Sequence, residues 1–214
     1  ASMIAELATY PSHTLALLSA LGKYIITVLI ALLLHMSLVY LPMVKFWAKL
    51  NPVWFLKKMR PVQLLAFSTS SSNATLPLNM ENCEKEMGVS EEITSFVLPL
   101  GATINMDGTS CYQAIAAVFI AQVFQMDLSL GEQITIVLTA LLSSIGTAGV
   151  PGVGIVMLVI VLKSVGVPTE GIALILGVDR IIDMCRTAVN VTGDATVCCG
   201  VARMEGKLNP EIIK

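Results

Sequence analysis

Six polar residues, Asp179, Asp183, Arg186, Thr187, Asn190 and Asp194, recur along one face of the otherwise apolar stretch Ile172 to Val201. At about 100° per residue they fall within an arc of roughly 100°. Ile181, Ile182, Met184, Cys185, Ala188 and Val189 point the other way. The stretch is long enough to cross a bilayer, where each central charge costs about 2.5 to 3.5 kcal/mol. Three carboxylates and an arginine on one stripe must therefore face a partner, an ion or a solute rather than lipid.

Composition supports the membrane class. Of the 214 residues, 55% are hydrophobic and only 13% charged, with a mean hydropathy of +0.80, whereas soluble domains carry about 25% charged residues. A net charge of −2 without a basic, aromatic-laced patch argues against a nucleic-acid partner. The five cysteines, Cys83, Cys111, Cys185, Cys198 and Cys199, have neither disulfide-framework nor zinc spacing and read as packing residues. Glu6, with no basic residue before the first apolar run, argues against a cleaved leader.

Tyr24 to Val44 lacks Asp, Glu, Lys and Arg and predicts a transmembrane helix. Lys45, Lys49, Lys57, Lys58 and Arg60 follow it, which puts its end on the cytoplasmic side. Next, the apolar run Val62–Phe67, the tract Ser68–Ser72 and Leu76-Pro77-Leu78 give only a few apolar turns on either side of the serines. They suit a re-entrant hairpin, whose irregular tip is tolerated at membrane depth against protein or water; a Ser-rich external loop is the plainer alternative. Ile93 to Gln125 is interrupted by Asn105-Met106-Asp107-Gly108-Thr109, where a carboxylate and a glycine disfavour continuous helix. A helix broken there exposes carbonyls on one half and N–H groups on the other, as a cation site beside an anion site requires. Ile134 to Leu162 is uncharged, yet Gly146 to Gly154 holds four glycines and a proline. Its flanks, about 18 and 12 Å long, predict a second re-entrant hairpin with a lid-like tip.

Hairpin plus interrupted or polar helix thus occurs twice, the pattern of inverted-repeat transporters with a midplane binding site. The fold class expected is an all-α membrane protein: transmembrane helices, two re-entrant helical hairpins and a broken helix. Residues 1–17 read as an N-terminal connector, and residues 18–206 as one domain. It comprises a helix (18–50), hairpin 1 (51–88), the broken helix (91–128), hairpin 2 (131–166) and the polar helix (170–202), before a tail at 207–214.

Four motifs, in order, resemble the dicarboxylate/amino acid:cation symporters, the family of the glutamate and aspartate transporters. They are Ser70-Ser71-Ser72 with Thr75-Leu76-Pro77; Leu100 to Thr109; Ser144 to Gly152; and Asp183-Met184-Cys185-Arg186-Thr187 with Asn190 to Asp194. The resemblance runs from about Leu18 to Gly206 and matches the family's C-terminal, transport part. It implies a multi-pass plasma (inner) membrane protein in which an elevator-type unit moves an acidic amino acid, aspartate or glutamate, with sodium ions. The scaffold helices, through which relatives form homotrimers, precede the matched segment. Proton coupling is the alternative.

The resemblance assigns the substrate's side-chain carboxylate to Arg186, whose planar fork suits bidentate binding, and the ammonium to Asp183, with Thr187 and Asn190 beside them. The α-carboxylate falls to Ser70 and Ser72, a further contact to Thr109, and the covering lid to Val150 and Gly154. Sodium, a hard cation, takes oxygen ligands. One implied site uses carbonyls of Gly101, Asn105 and Asn190 with the Asp194 carboxylate. A second lies between the Thr103 carbonyl and Ser144, Ile145 and Thr147, beside the Met106 sulfur. A third uses Asp107 and the Asn105 side chain, completed in relatives by an earlier helix absent here. Relatives often carry a further arginine at the position of Ser70 or Met184; this chain has it at neither, and Arg180 is a candidate substitute.

Other signals have plainer meanings. Asn73-Ala74-Thr75 and Asn190-Val191-Thr192 fit the glycosylation pattern but fall at membrane depth. His35 reads as a hydrogen-bonded packing residue rather than a proton relay, and the methionines, Met106 apart, as core filler. Two other function classes remain: an intramembrane aspartyl enzyme using two of Asp107, Asp183 and Asp194, and a non-transporting fragment or accessory membrane protein. The enzyme reading leaves Asn105, Arg186 and Asn190 without a role.

Overall fold

The computed structural model describes residues 11–212, with side chains from Leu17 onward; most of the N-terminal connector lies outside them. Among the described residues every regular element is helical, apart from one antiparallel bridge, Val89 to Leu208, that ties the tail to the end of the first hairpin. Helix α1 spans Pro11–His35 and continues through two π-helical turns, Met36–Tyr40 and Met43–Trp47. The widening was not foreseen, because hydropathy alone cannot distinguish i→i+4 from i→i+5 bonding. Leu17–Trp47 is the one described helix long and apolar enough to cross a membrane, with a mean hydropathy of 2.3.

Helices α2 (Pro52–Thr69) and α3 (Ser72–Lys85) meet at a two-residue break. Asn51 caps the start of α2 by accepting from Val53 N and Trp54 N. At the break Ser70 takes a left-handed conformation (φ 53°), and the Ser71 hydroxyl caps α3 by accepting from Ala74 N at 3.1 Å. The serine tract is thus one helix end abutting one helix start. Helices α4 (Glu91–Ile104) and α5 (Asp107–Val123) are separated by Asn105 and Met106, both outside helical geometry. Helix α6 (Leu130–Ser144) opens on a Ser129/Glu132 capping box. Helix α7 (Val153–Ser164) follows a loop whose Gly146 and Gly152 adopt φ of 77° and 78°.

Helix α8 (Ile172–Met204) is the axis of the bundle. Its first half packs into one apolar cluster with α1, α5, α6 and α7, around Ile175, Ile182 and Val189. Its second half packs into another with α2, α3 and α4, around Val191, Ala195, Cys198 and Ala202. Ile182 and Val189, on the side away from the polar stripe, are therefore buried by protein, and residues 189–196 are buried without interruption. Because both clusters grip α8, its polar face is enclosed between the α2/α3 and α6/α7 tips and the α4/α5 break.

Candidate functional site

The polar stripe is buried along its length, with Arg186 2%, Asp183 4%, Asp194 3% and Asp179 7% exposed. Arg186 bonds Asp183 one turn earlier: Nε donates to Oδ1 at 2.9 Å and Nη2 lies 2.8 Å from the same oxygen. The other Asp183 oxygen accepts from Gly152 N at 2.9 Å, where the α6/α7 loop closes over it. The guanidinium sits 4.4 Å above the Tyr112 ring. A Cβ at residue 154 would lie 2.3 Å from Arg186 Nη1, so only glycine lets the α7 backbone cover this cation.

All nine residues assigned by resemblance to the substrate line one cavity: Ser70 and Ser72 from the α2/α3 break, Thr109 from α5, Val150 and Gly154 from the lid, and Asp183, Arg186, Thr187 and Asn190 from α8. Met106 and Thr147 line it as well. Two polar atoms here, Ser70 Oγ and Arg186 Nη1, are buried without a hydrogen-bond partner, which costs free energy unless something else pairs with them. The cavity measures about 20 Å³, space for roughly one water. The two tips close it from above: the Ser71 hydroxyl donates to Gly149 O at 2.7 Å, and Asn73 N donates to the same carbonyl at 3.1 Å. Anything as large as an amino acid enters only if those tips separate.

The residues assigned to cations gather at the α4/α5 break. Asn105 Nδ2 donates to Asp194 Oδ1 at 2.9 Å and approaches Asn190 O at 3.5 Å. Gly101 lies directly against the Asp194 carboxylate. Asn190 bridges the two sites, its Oδ1 accepting from Gly108 N (2.7 Å) and its Nδ2 lying 3.2 Å from both the Thr109 hydroxyl and the Met106 sulfur. Asp194, buried with one amide donor and no cation beside it, fits a cation site on the chemistry of its donors. At the second predicted group, Thr103 O accepts from Gly146 N at 2.8 Å, so the α6/α7 loop rests on that carbonyl. Ser144 and Thr147 are buried there, while the Ile145 side chain faces outward. Asp107 meets the first group through Tyr40: its carboxylate accepts from the Tyr40 hydroxyl (2.9 Å), which lies beside Asn105 over Gly193, and it is 3.2 Å from His35 Nε2. Arg180 is exposed and forms no ion pair among the described residues.

The profile of the sodium:dicarboxylate symporter family matches residues 1–204. The chain belongs to that family. Its relatives include the rabbit (Oryctolagus cuniculus) excitatory amino acid transporter 3, 52% identical over 176 residues, which are 82% of this chain and 33% of the relative. The rat (Rattus norvegicus) excitatory amino acid transporter 1 is 49% identical over 82% of this chain and 32% of its own. An excitatory amino acid transporter of Caenorhabditis elegans is 47% identical over 82% and 35%. The chain therefore spans about a third of the length of the curated relatives it matches. The family and these relatives are transporters, not enzymes, which removes the aspartyl-enzyme reading.

Sequence reasoning missed several residues around this cavity. Tyr112 underlies Arg186, and Gln113, fully buried, donates to Gly154 O (3.1 Å) while accepting from the Ser143 hydroxyl (2.8 Å), tying both legs of the lid to α5. Both follow Thr109 by one turn, so helical spacing from that residue was the available signal. Tyr40 carried none, since nothing in an apolar run marks a phenol 67 residues away as a partner of Asp107.

Proposed function

We propose that this chain is the substrate-carrying unit of a sodium-coupled symporter for an acidic amino acid, aspartate or glutamate. The observation that carries the reading is the buried Asp183–Arg186 pair at the floor of a cavity roofed by two helix-pair tips. A zwitterion with a side-chain carboxylate is the ligand that inserts into such a pair without leaving either charge unmatched: its carboxylate takes the Arg186 fork and its ammonium takes Asp183. Ser70, Ser72 and Asn190 then receive the α-carboxylate, and Thr109 and Thr187 flank it.

The remaining charge argues for cation coupling. An acidic amino acid adds a net negative charge beside Asp107 and Asp194, and low-dielectric burial amplifies that repulsion. Asp194, Asn105 and the backbone carbonyls of Gly101 and Asn190 would hold one sodium. Thr103, Met106, Ser144, Ile145 and Thr147 would hold a second, and Asp107 with Asn105 a third. Bound sodium supplies positive charge where the substrate brings negative. Because Gly146 of the lid rests on Thr103, the second group assembles only when the lid is down, which links ion occupancy to substrate closure.

In this reading α1 spans the bilayer and α2/α3 and α6/α7 are re-entrant hairpins flanking the broken α4/α5 helix, within an elevator-type plasma-membrane protein that trimerises through scaffold helices. The outward apolar faces support it: Leu33, Leu38, Leu130, Leu142 and Val156 are each at least 65% exposed. Aspartate binding to the purified chain should require sodium and be lost when choline replaces it. Uptake that follows an imposed proton gradient and ignores a sodium gradient would overturn sodium coupling.

A further inference from the structure

We infer that the Tyr40 hydroxyl is an additional oxygen ligand of the cation held at Asp107, an inference that rests on the sodium-coupled reading above. Tyr40 is 2% exposed, and its hydroxyl donates to Asp107 Oδ2 at 2.9 Å, so its oxygen still has acceptor capacity of its own. The same oxygen and the NH2 end of the Asn105 side chain, which donates to Asp194, both press on one point above Gly193. A Cβ built there would meet Tyr40 Oη at 2.3 Å and Asn105 Nδ2 at 2.6 Å. Phenol, amide and carboxylate thus converge from α1, the α4/α5 break and α5, with the buried Asp194 carboxylate reached through Asn105. The phenol and carboxylate oxygens, with negative charge on both flanks, are what a hard monovalent cation takes, the Asn105 amide meanwhile tying Asp194 to the group.

The backbone is built to deliver this group. In an α-helix His35 and Tyr40, five residues apart, would point about 140° away from each other. The Met36–Tyr40 segment is π-helical, and i→i+5 bonding returns residues five apart to nearly the same side. Both side chains consequently reach Asp107, and the His35 ring packs edge-on against Tyr40 at 4.7 Å between centroids. A π-turn costs hydrogen-bond geometry, and such turns concentrate at functional sites. Gly193 supplies the second accommodation, since any side chain at that position would displace the phenol.

The test is sodium-dependent thermal stabilisation of the purified protein, titrated against choline at constant ionic strength. Tyr40→Phe removes only the oxygen and should raise the half-saturating sodium concentration about 10-fold, the scale on which a lost partner weakens metal affinity. In an Asp107→Asn background the same substitution should add nothing, because the site it serves is already gone. Gly193→Ala, whose methyl would crowd the phenol and the Asn105 amide together, should raise the half-saturation at least as far; if Tyr40→Phe does not fold, an unchanged half-saturation in Gly193→Ala overturns the inference in its place. An unchanged half-saturation in Tyr40→Phe, or equal losses with and without Asp107, overturns the Tyr40 inference alone. A wild-type protein whose melting temperature ignores sodium overturns it together with the sodium-coupled reading.

Discussion

Asp183→Asn probes the floor of the site most directly. The Asp183 carboxylate accepts three contacts: Arg186 Nε (2.9 Å) and Nη2 (2.8 Å) on one oxygen and Gly152 N (2.9 Å) on the other. Asparagine keeps the shape but supplies one acceptor oxygen in place of two. Either the Arg186 fork or the lid N–H then faces an NH₂ group. More costly, Arg186, 2% exposed, loses its counter-charge. Removing one partner of a buried pair typically destabilises by about 3–5 kcal/mol. For a chain of this length that is a fall in melting temperature of about 6–20 °C. The assay is thermal unfolding in detergent without amino acid, comparing wild type, Asp183→Asn and Asp183→Asn/Arg186→Met. The double variant should recover most of the loss, since an apolar side chain of similar reach removes the orphaned charge. A single variant melting within about 2 °C of wild type, or a double variant no better than the single, would refute the argument that α8 folds around a mutually dependent ion pair.

Two further outcomes test the rest of the site. Arg186→Cys should lose aspartate binding while retaining a small neutral amino acid, because an acidic side chain then enters without a cation; unchanged aspartate affinity in equilibrium binding would contradict the assignment. Gly108→Ala should be more disruptive than an ordinary helix substitution. The new methyl would lie 2.7 Å from the Arg186 carbonyl and 2.9 Å from Asn190 Oδ1, and backbone cannot step aside. Overpacking of that kind costs about 1–3 kcal/mol, read out as a lower melting temperature together with weaker sodium-dependent binding.

The polar stripe on α8 was visible in the sequence because helical periodicity needs only spacing, and the cost of burying charge does the rest. The breaks near Ser70, Asn105 and Gly146 were marked by residues whose own backbone preferences interrupt a helix. The four motifs likewise carried the family, because each is a contiguous run of residues. What spacing could not supply was who faces whom. The π-turns of α1 arise from a small backbone adjustment with no compositional mark, yet they decide that Tyr40 and His35, rather than lipid, meet Asp107. Gln113 and Tyr112 lie within an apolar helix, and only the packing of α5 against α8 and the lid turns them into a clamp and a floor. Local sequence determined which residues are costly to leave in lipid and where helices must stop. The tertiary structure decided which of those groups satisfy one another, because hydrogen bonds and ion pairs between distant segments depend on positions that no single stretch of chain encodes.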